Sequence, residues 1–136
     1  MLSRRLFASC VLCAATGLVA TGGDAAAQAT TGVVRTILRR EEFPGDKYAT
    51  IQVKAEVEAG ATVARHTHPG VESAYVVEGE GDLSVAGQPD RALKPLDGFQ
   101  IPAEVPHSLR AGGRKMLLLI TYVVEKDKPL ATPAPG

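Results

Sequence analysis

The chain has 136 residues, enough for one domain, with 15 basic and 15 acidic side chains, 3 histidines, no tryptophan and only 4% aromatics. Mixed signs in near balance argue against nucleic acid or an anionic membrane surface as partner, since either would call for a basic excess.

The first predicted element is a leader. Residues 1–27 combine Arg4 and Arg5, an apolar run over 6–20, and the small-residue sites Ala25-Ala26-Ala27 and Ala27-Gln28-Ala29, the pattern of a secretory signal peptide cut after Ala27. The apolar run is too short, and too rich in Gly, Ala and Thr, to span a bilayer. Ser3-Arg4-Arg5-Leu6-Phe7 resembles the twin-arginine export signal, which carries folded proteins, although paired basic residues also satisfy the general secretory route. Either route predicts a periplasmic or secreted product. Cys10 and Cys13 leave with the leader, so no thiol remains for disulfides or for thiolate metal ligands. Loss of Arg4, Arg5 and Asp24 leaves 13 basic and 14 acidic residues.

Residues 28–126 read as one all-β domain. Alternation is plainest over 48–58, where Ala49, Ile51, Val53, Ala55 and Val57 are apolar and the residues between them polar, as in a strand with one buried face. Further strands are predicted over 33–39, 62–68, 73–78, 82–85, 91–93, 99–101, 107–111 and 116–124. Turn-forming stretches such as Phe43-Pro44-Gly45-Asp46 and Ala86-Gly87-Gln88-Pro89-Asp90 separate them. Many short strands at this spacing imply a sandwich or barrel. The run 116–124, MLLLITYVV, is apolar on both faces, so its outer face needs cover from the N-terminal segment or from a second subunit. Residues 127–136 form a Pro/Ala-rich polar tail expected to be poorly ordered.

The chemistry concentrates in GATVARHTHPGVESAYVVEGEG, residues 60–81. On a strand, residues two apart share a face, so His66 and His68 should project together with Thr62 and Ala64, while Arg65 and Thr67 point away. Pro69-Gly70 ends that strand, and Glu72 returns toward the imidazoles from the next. His107, the remaining histidine, completes three imidazoles and a carboxylate, a ligand set for a first-row transition metal. Exposed histidines and a solvated glutamate are the ordinary alternative. Small apolar company at Ala64 and Ala74 instead suggests an inward face, where unpaired imidazoles would be costly.

Gly60, His66, His68, Glu72 and Gly79 fill every fixed position of G-x5-H-x-H-x3-E-x6-G, which resembles the first motif of the cupin superfamily. LDGFQIPAEVPHSLRA resembles the second, G-x5-P-x-G-x2-H-x3-N, with Pro102 and His107 in place. Leu96 and Glu104 stand where that motif has glycines, and Ala111 replaces its asparagine. Asp97-Gly98 offers an alternative flexible turn for the first departure. Glu104 must take the loop conformation before His107 as a non-glycine residue. The resemblance implies a double-stranded β-helix, the jelly-roll barrel, with His66, His68, Glu72 and His107 as metal ligands at its mouth. It also implies a homodimer, in keeping with the doubly apolar last strand.

Such a site suits one divalent ion: Mn or Fe by preference, with Ni, Cu, Co and Zn open. Folded export would load the ion in the cytoplasm, which favours Mn or Fe over the copper or zinc of the periplasm. Glu72 is the expected acid/base. A wall of Ile51, Val53, Ala64, Ala74, Val76 and Leu109, with Tyr122 or Gln100 as polar contacts, predicts a small apolar or aromatic substrate. Arg65 and Arg110 lie near ligands and could steer an anion. Similarity to the small dioxygenases of the superfamily implies oxidoreductase chemistry. A non-catalytic ligand-binding or sensing protein and a metal-dependent isomerase or lyase remain open.

Overall fold

The computed structural model describes residues 31–45 and 47–136, so the expected leader over 1–27 lies outside the described residues. The strands are β1 (Val33–Glu42), β2 (Tyr48–Val57), β3 (Thr62–Thr67), β4 (Gly70–Glu78), β5 (Gly81–Val85), β6 (Arg91–Leu93), β7 (Gly98–Ile101), β8 (His107–Ala111), β9 (Met116–Glu125) and β10 (Thr132–Pro133). They form two five-stranded antiparallel sheets, ordered β1-β2-β9-β4-β7 and β10-β3-β8-β5-β6. Sequence neighbours such as β3 and β4 belong to opposite sheets, the connectivity of a jelly-roll barrel. The all-β reading therefore holds.

The first sheet is built on β2 and β9, which pair without interruption from Tyr48 opposite Glu125 to Val57 opposite Met116. The alternation read from 48–58 maps onto this pairing: Ala49, Ile51, Val53, Ala55 and Val57 are buried, and the residues between them are not. From β9, Met116, Leu118, Ile120, Tyr122 and Val124 turn inward and meet Val63, Leu83, Val85 and Leu109 of the second sheet in one core. Complete burial of each such side chain is worth about 1.5–3 kcal/mol.

The other face of β9 is apolar, as its sequence required. Leu119 is 46% exposed and sits opposite Tyr75, itself 42% exposed. Val71 opposite Val123 lies on the same face, beyond the polar pair Ser73 and Thr121. No described segment covers it.

Three expectations need correction. Ala64 is exposed instead of inward, because β3 carries a bulge: between the pairs Val63–Leu109 and His66–His107, two residues of β3 oppose Ser108 alone. The tail is not a loose end. Thr132 and Pro133 pair with Thr67 and His66, and the Ala134 N–H donates to the Arg65 carbonyl at 3.0 Å, so β10 covers an otherwise open sheet edge. Nor does the turn near Leu96 move to Asp97-Gly98. Leu96 itself adopts φ +76°, pinned there because its N–H donates to Val76 and that of Asp97 to Lys94.

Candidate metal centre

The irregularities of the second sheet place the ligands. The β3 bulge brings His66 inward two residues before His68, and the pairing sets His66 opposite His107, the first residue of β8. After Pro69 the chain crosses to the first sheet at Gly70. A side chain there would collide with the Val123 carbonyl and Val124 Cα of β9, so only glycine permits this approach. Glu72, two residues on, then faces the histidines from the opposite sheet. Glu104, at φ +61°, donates its N–H to the His68 carbonyl at 2.9 Å and ties the loop before His107 to the first histidine pair.

His66, His68, Glu72 and His107 are all buried, Glu72 to 5% exposure, and one donor atom from each lies within 4.8 Å of the others. The Nε2 atoms of His66 and His68 are 3.1 Å apart, and Glu72 Oε2 lies 2.8 Å from Nε2 of His68 and 3.2 Å from that of His107. Each Nδ1 faces a backbone carbonyl: Ala64 for His66 at 2.7 Å, Leu130 for His68 at 2.5 Å, and Val105 for His107 at 3.0 Å.

These partners fix the chemistry. A carbonyl only accepts, so each Nδ1 carries a hydrogen, and each neutral ring presents its Nε2 lone pair to the centre. Three lone pairs and a carboxylate oxygen then converge with no donor among them, an arrangement that a cation relieves. The residues therefore fit one divalent ion, with the carbonyls as the outer partners that hold ligand rings in place.

Electrostatics agree. Burial, reinforced by the neighbouring His107, lowers the His66 pKa to about 4, so that ring is neutral and available near pH 7. For Glu72, burial pushes the pKa up. Contacts with His107 and His68 outweigh it and hold the carboxyl down at about 2, so Glu72 enters the cluster as a carboxylate.

A narrow crevice leads away from the cluster. Its lining includes His66, Glu72, His107, Phe99, Leu109, Leu118, Ile120 and Tyr122, with Val33 and Arg35 from β1. Of the wall predicted from alternation, Leu109 lines it, whereas Ile51, Val53, Ala74 and Val76 are buried in the core elsewhere. Tyr122 packs its ring 4.7 Å from that of His68, and burial raises its pKa. Gln100 is exposed and donates instead to Ser73 Oγ at 3.0 Å. Neither Arg65 nor Arg110 lines the crevice. Sequence reasoning missed Arg35 and the Leu130 carbonyl. The first sits in a strand whose exposed half hides its alternation, and the second is a backbone atom without any residue-type signal.

The cupin-domain family profile matches residues 53–124, just over half of the chain and all four candidate ligands. The chain belongs to the cupin family. Comparison with curated proteins found no match. Among solved structures, the DMSP lyase DddQ from Ruegeria pomeroyi DSS-3 superposes with a TM-score of 0.66 at 22% identity, covering 79% of this chain and 58% of that one. This cupin thus spans little more than half of that lyase. KdgF from Halomonas sp. gives 0.59 at 24% identity, covering 73% of this chain and 84% of that one. A cupin-like protein from Thermotoga maritima msb8 gives 0.62 at 27% identity over 76% and 77% of the two chains. The first two likenesses, at such identities, establish the shared fold and no shared chemistry.

Proposed function

We propose that this cupin is an exported, metal-dependent oxidoreductase of the dioxygenase type that acts on a small apolar or aromatic molecule at the His66, His68, Glu72 and His107 centre. The observation that carries this reading is that four buried donors converge at one end of a mostly apolar crevice. A redox-active divalent ion held by them would supply electrophilic and one-electron chemistry. The remaining work falls to the chain.

Glu72 turns Oε2 toward the imidazoles, and Oε1 has no hydrogen-bond or ion-pair partner among the described residues. Oε1 is therefore the atom to accept a proton from a phenol or enol hydroxyl. Tyr122 keeps its proton and supports the His68 ring. Phe99, Leu118 and Ile120 limit water at the reacting atoms. Three nitrogens and one oxygen do not select among first-row ions. Manganese or iron is our preferred choice, on the expectation of folded export. The exposed patch around Leu119 and Tyr75 we assign to a second copy of the chain.

Oxygen uptake by metal-loaded protein against a panel of small phenols and enols tests the proposal. Uptake with product formation supports it. Turnover under nitrogen would replace it with isomerase or lyase chemistry, and a ligand-induced rise in Tm without turnover would replace it with a binding or sensing role. Elemental analysis of protein purified from periplasm and from cytoplasm tests the metal: copper or zinc alone in both contradicts manganese or iron.

A further inference from the structure

The cation of the crevice is Arg35. It lies on β1 opposite Ala55, whose side chain is buried, so the pairing turns Arg35 toward the interior. There it is half-buried and lines the same crevice as His66, Glu72 and Tyr122. Among the described residues, no carboxylate pairs with it and no acceptor takes a hydrogen bond from it, whereas Lys54 on β2 and Lys115 just before β9 both pair with Glu56. Glu72 lines the crevice without pairing with Arg35, and a half-buried guanidinium that lacks a direct partner is unfavourable unless something supplies one. Arg35 also lies outside the family-matched residues 53–124, so the domain signature does not account for it.

We propose that Arg35 anchors the carboxylate of a short monocarboxylic acid whose apolar end enters the crevice, about 30 Å³ in free volume, toward the histidine cluster. Planar guanidinium and carboxylate match in a two-pronged hydrogen bond, which an amide or an ester cannot reproduce. The assignment rests on the reading of this crevice as the substrate site, and it narrows the substrate class from small apolar molecules to small apolar acids. The competing role for Arg35 is to cover the barrel's edge with its aliphatic stem while its charge stays in water.

Calorimetric titration separates the two. Metal-loaded wild type, Arg35→Met and Arg35→Lys are titrated with acetate, butyrate and benzoate, each beside its primary amide, and the metal content of every sample is measured. For the best-fitting acid, wild type should prefer acid over amide by about ten- to a hundredfold. Arg35→Met should reduce that ratio to about one, and Arg35→Lys should retain part of it, with metal content equal throughout. If metal is present and wild type binds acid and amide alike, or Arg35→Met keeps the preference, the Arg35 assignment is overturned alone. A wild-type protein that takes up no metal overturns the reading of the site itself.

Discussion

The β2–β9 pair and the β3–β8 pair differ in kind. The first runs ten residues in unbroken register, with alternate side chains in the core. The second carries a bulge, leads through loops containing the left-handed non-glycine residue Glu104, and borrows a strand from the tail. All three histidines come from this irregular side of the barrel. Regular pairing maximises burial and backbone hydrogen bonding but aims successive side chains in opposite directions. Converging His66, His68 and His107 on one point requires departures from that rule, and the regular β2–β9 pair behind them supplies stability that lets the departures persist.

If this division is right, changes in the two regions should move different observables. The largest effect is expected from His66→Ala, which removes a ligand: metal affinity should fall more than about a hundredfold, beyond the loss usual for outer partners. The metal-free Tm should stay close to that of wild type. Unchanged metal content by elemental analysis would remove the centre from consideration. Met116→Ala, in the regular pair and fully buried, is its counterpart. It should cost about 2–5 kcal/mol in urea unfolding of the metal-free chain. Metal affinity measured under folding conditions should be unaltered, and a matching loss of affinity would blur the comparison.

Deleting residues 129–136 sharpens it further. The Leu130 carbonyl that holds His68 Nδ1 goes, and β10 with it. Metal Kd should weaken by about ten- to a hundredfold, and an unchanged Kd would make the tail an incidental cover. The smallest effects belong to the two left-handed residues. A non-glycine residue in that conformation costs about 1–2 kcal/mol. Glycine's greater freedom in the unfolded chain takes back part of that gain. Leu96→Gly and Glu104→Gly should therefore each stabilise by up to about 1 kcal/mol in the same unfolding measurement. Of the two, only Glu104→Gly should also alter metal affinity, since Leu96 is 75% exposed and distant in sequence from any ligand. Destabilisation by both would mean that these side chains hold their turns by contacts.

Much of the site was legible before the fold. The residue types and spacing of His66, His68 and Glu72, with His107 as the remaining imidazole, pointed to a metal centre, and the barrel brings all four within 4.8 Å. The strand over 48–58 was legible because one face of it meets the core and the other meets water. The same logic failed at Ala64, where a single extra residue reversed the face, since nothing in the alternation of 62–68 marks a bulge. It also failed for residues 127–136, whose Pro/Ala composition reflects weak local preference and says nothing of an open sheet edge that can accept them.

By itself the sequence determined the all-β class, the motif that places the chain among the cupins, and the four candidate ligands, because these depend on residue type and on short, local periods. Only the tertiary structure decided which carbonyl orients each ring, that Leu96 and Glu104 bear left-handed conformations, and that Arg35 joins the crevice. Those outcomes depend on register between strands distant in the chain, and register is set by the packing of the whole barrel and by no single segment.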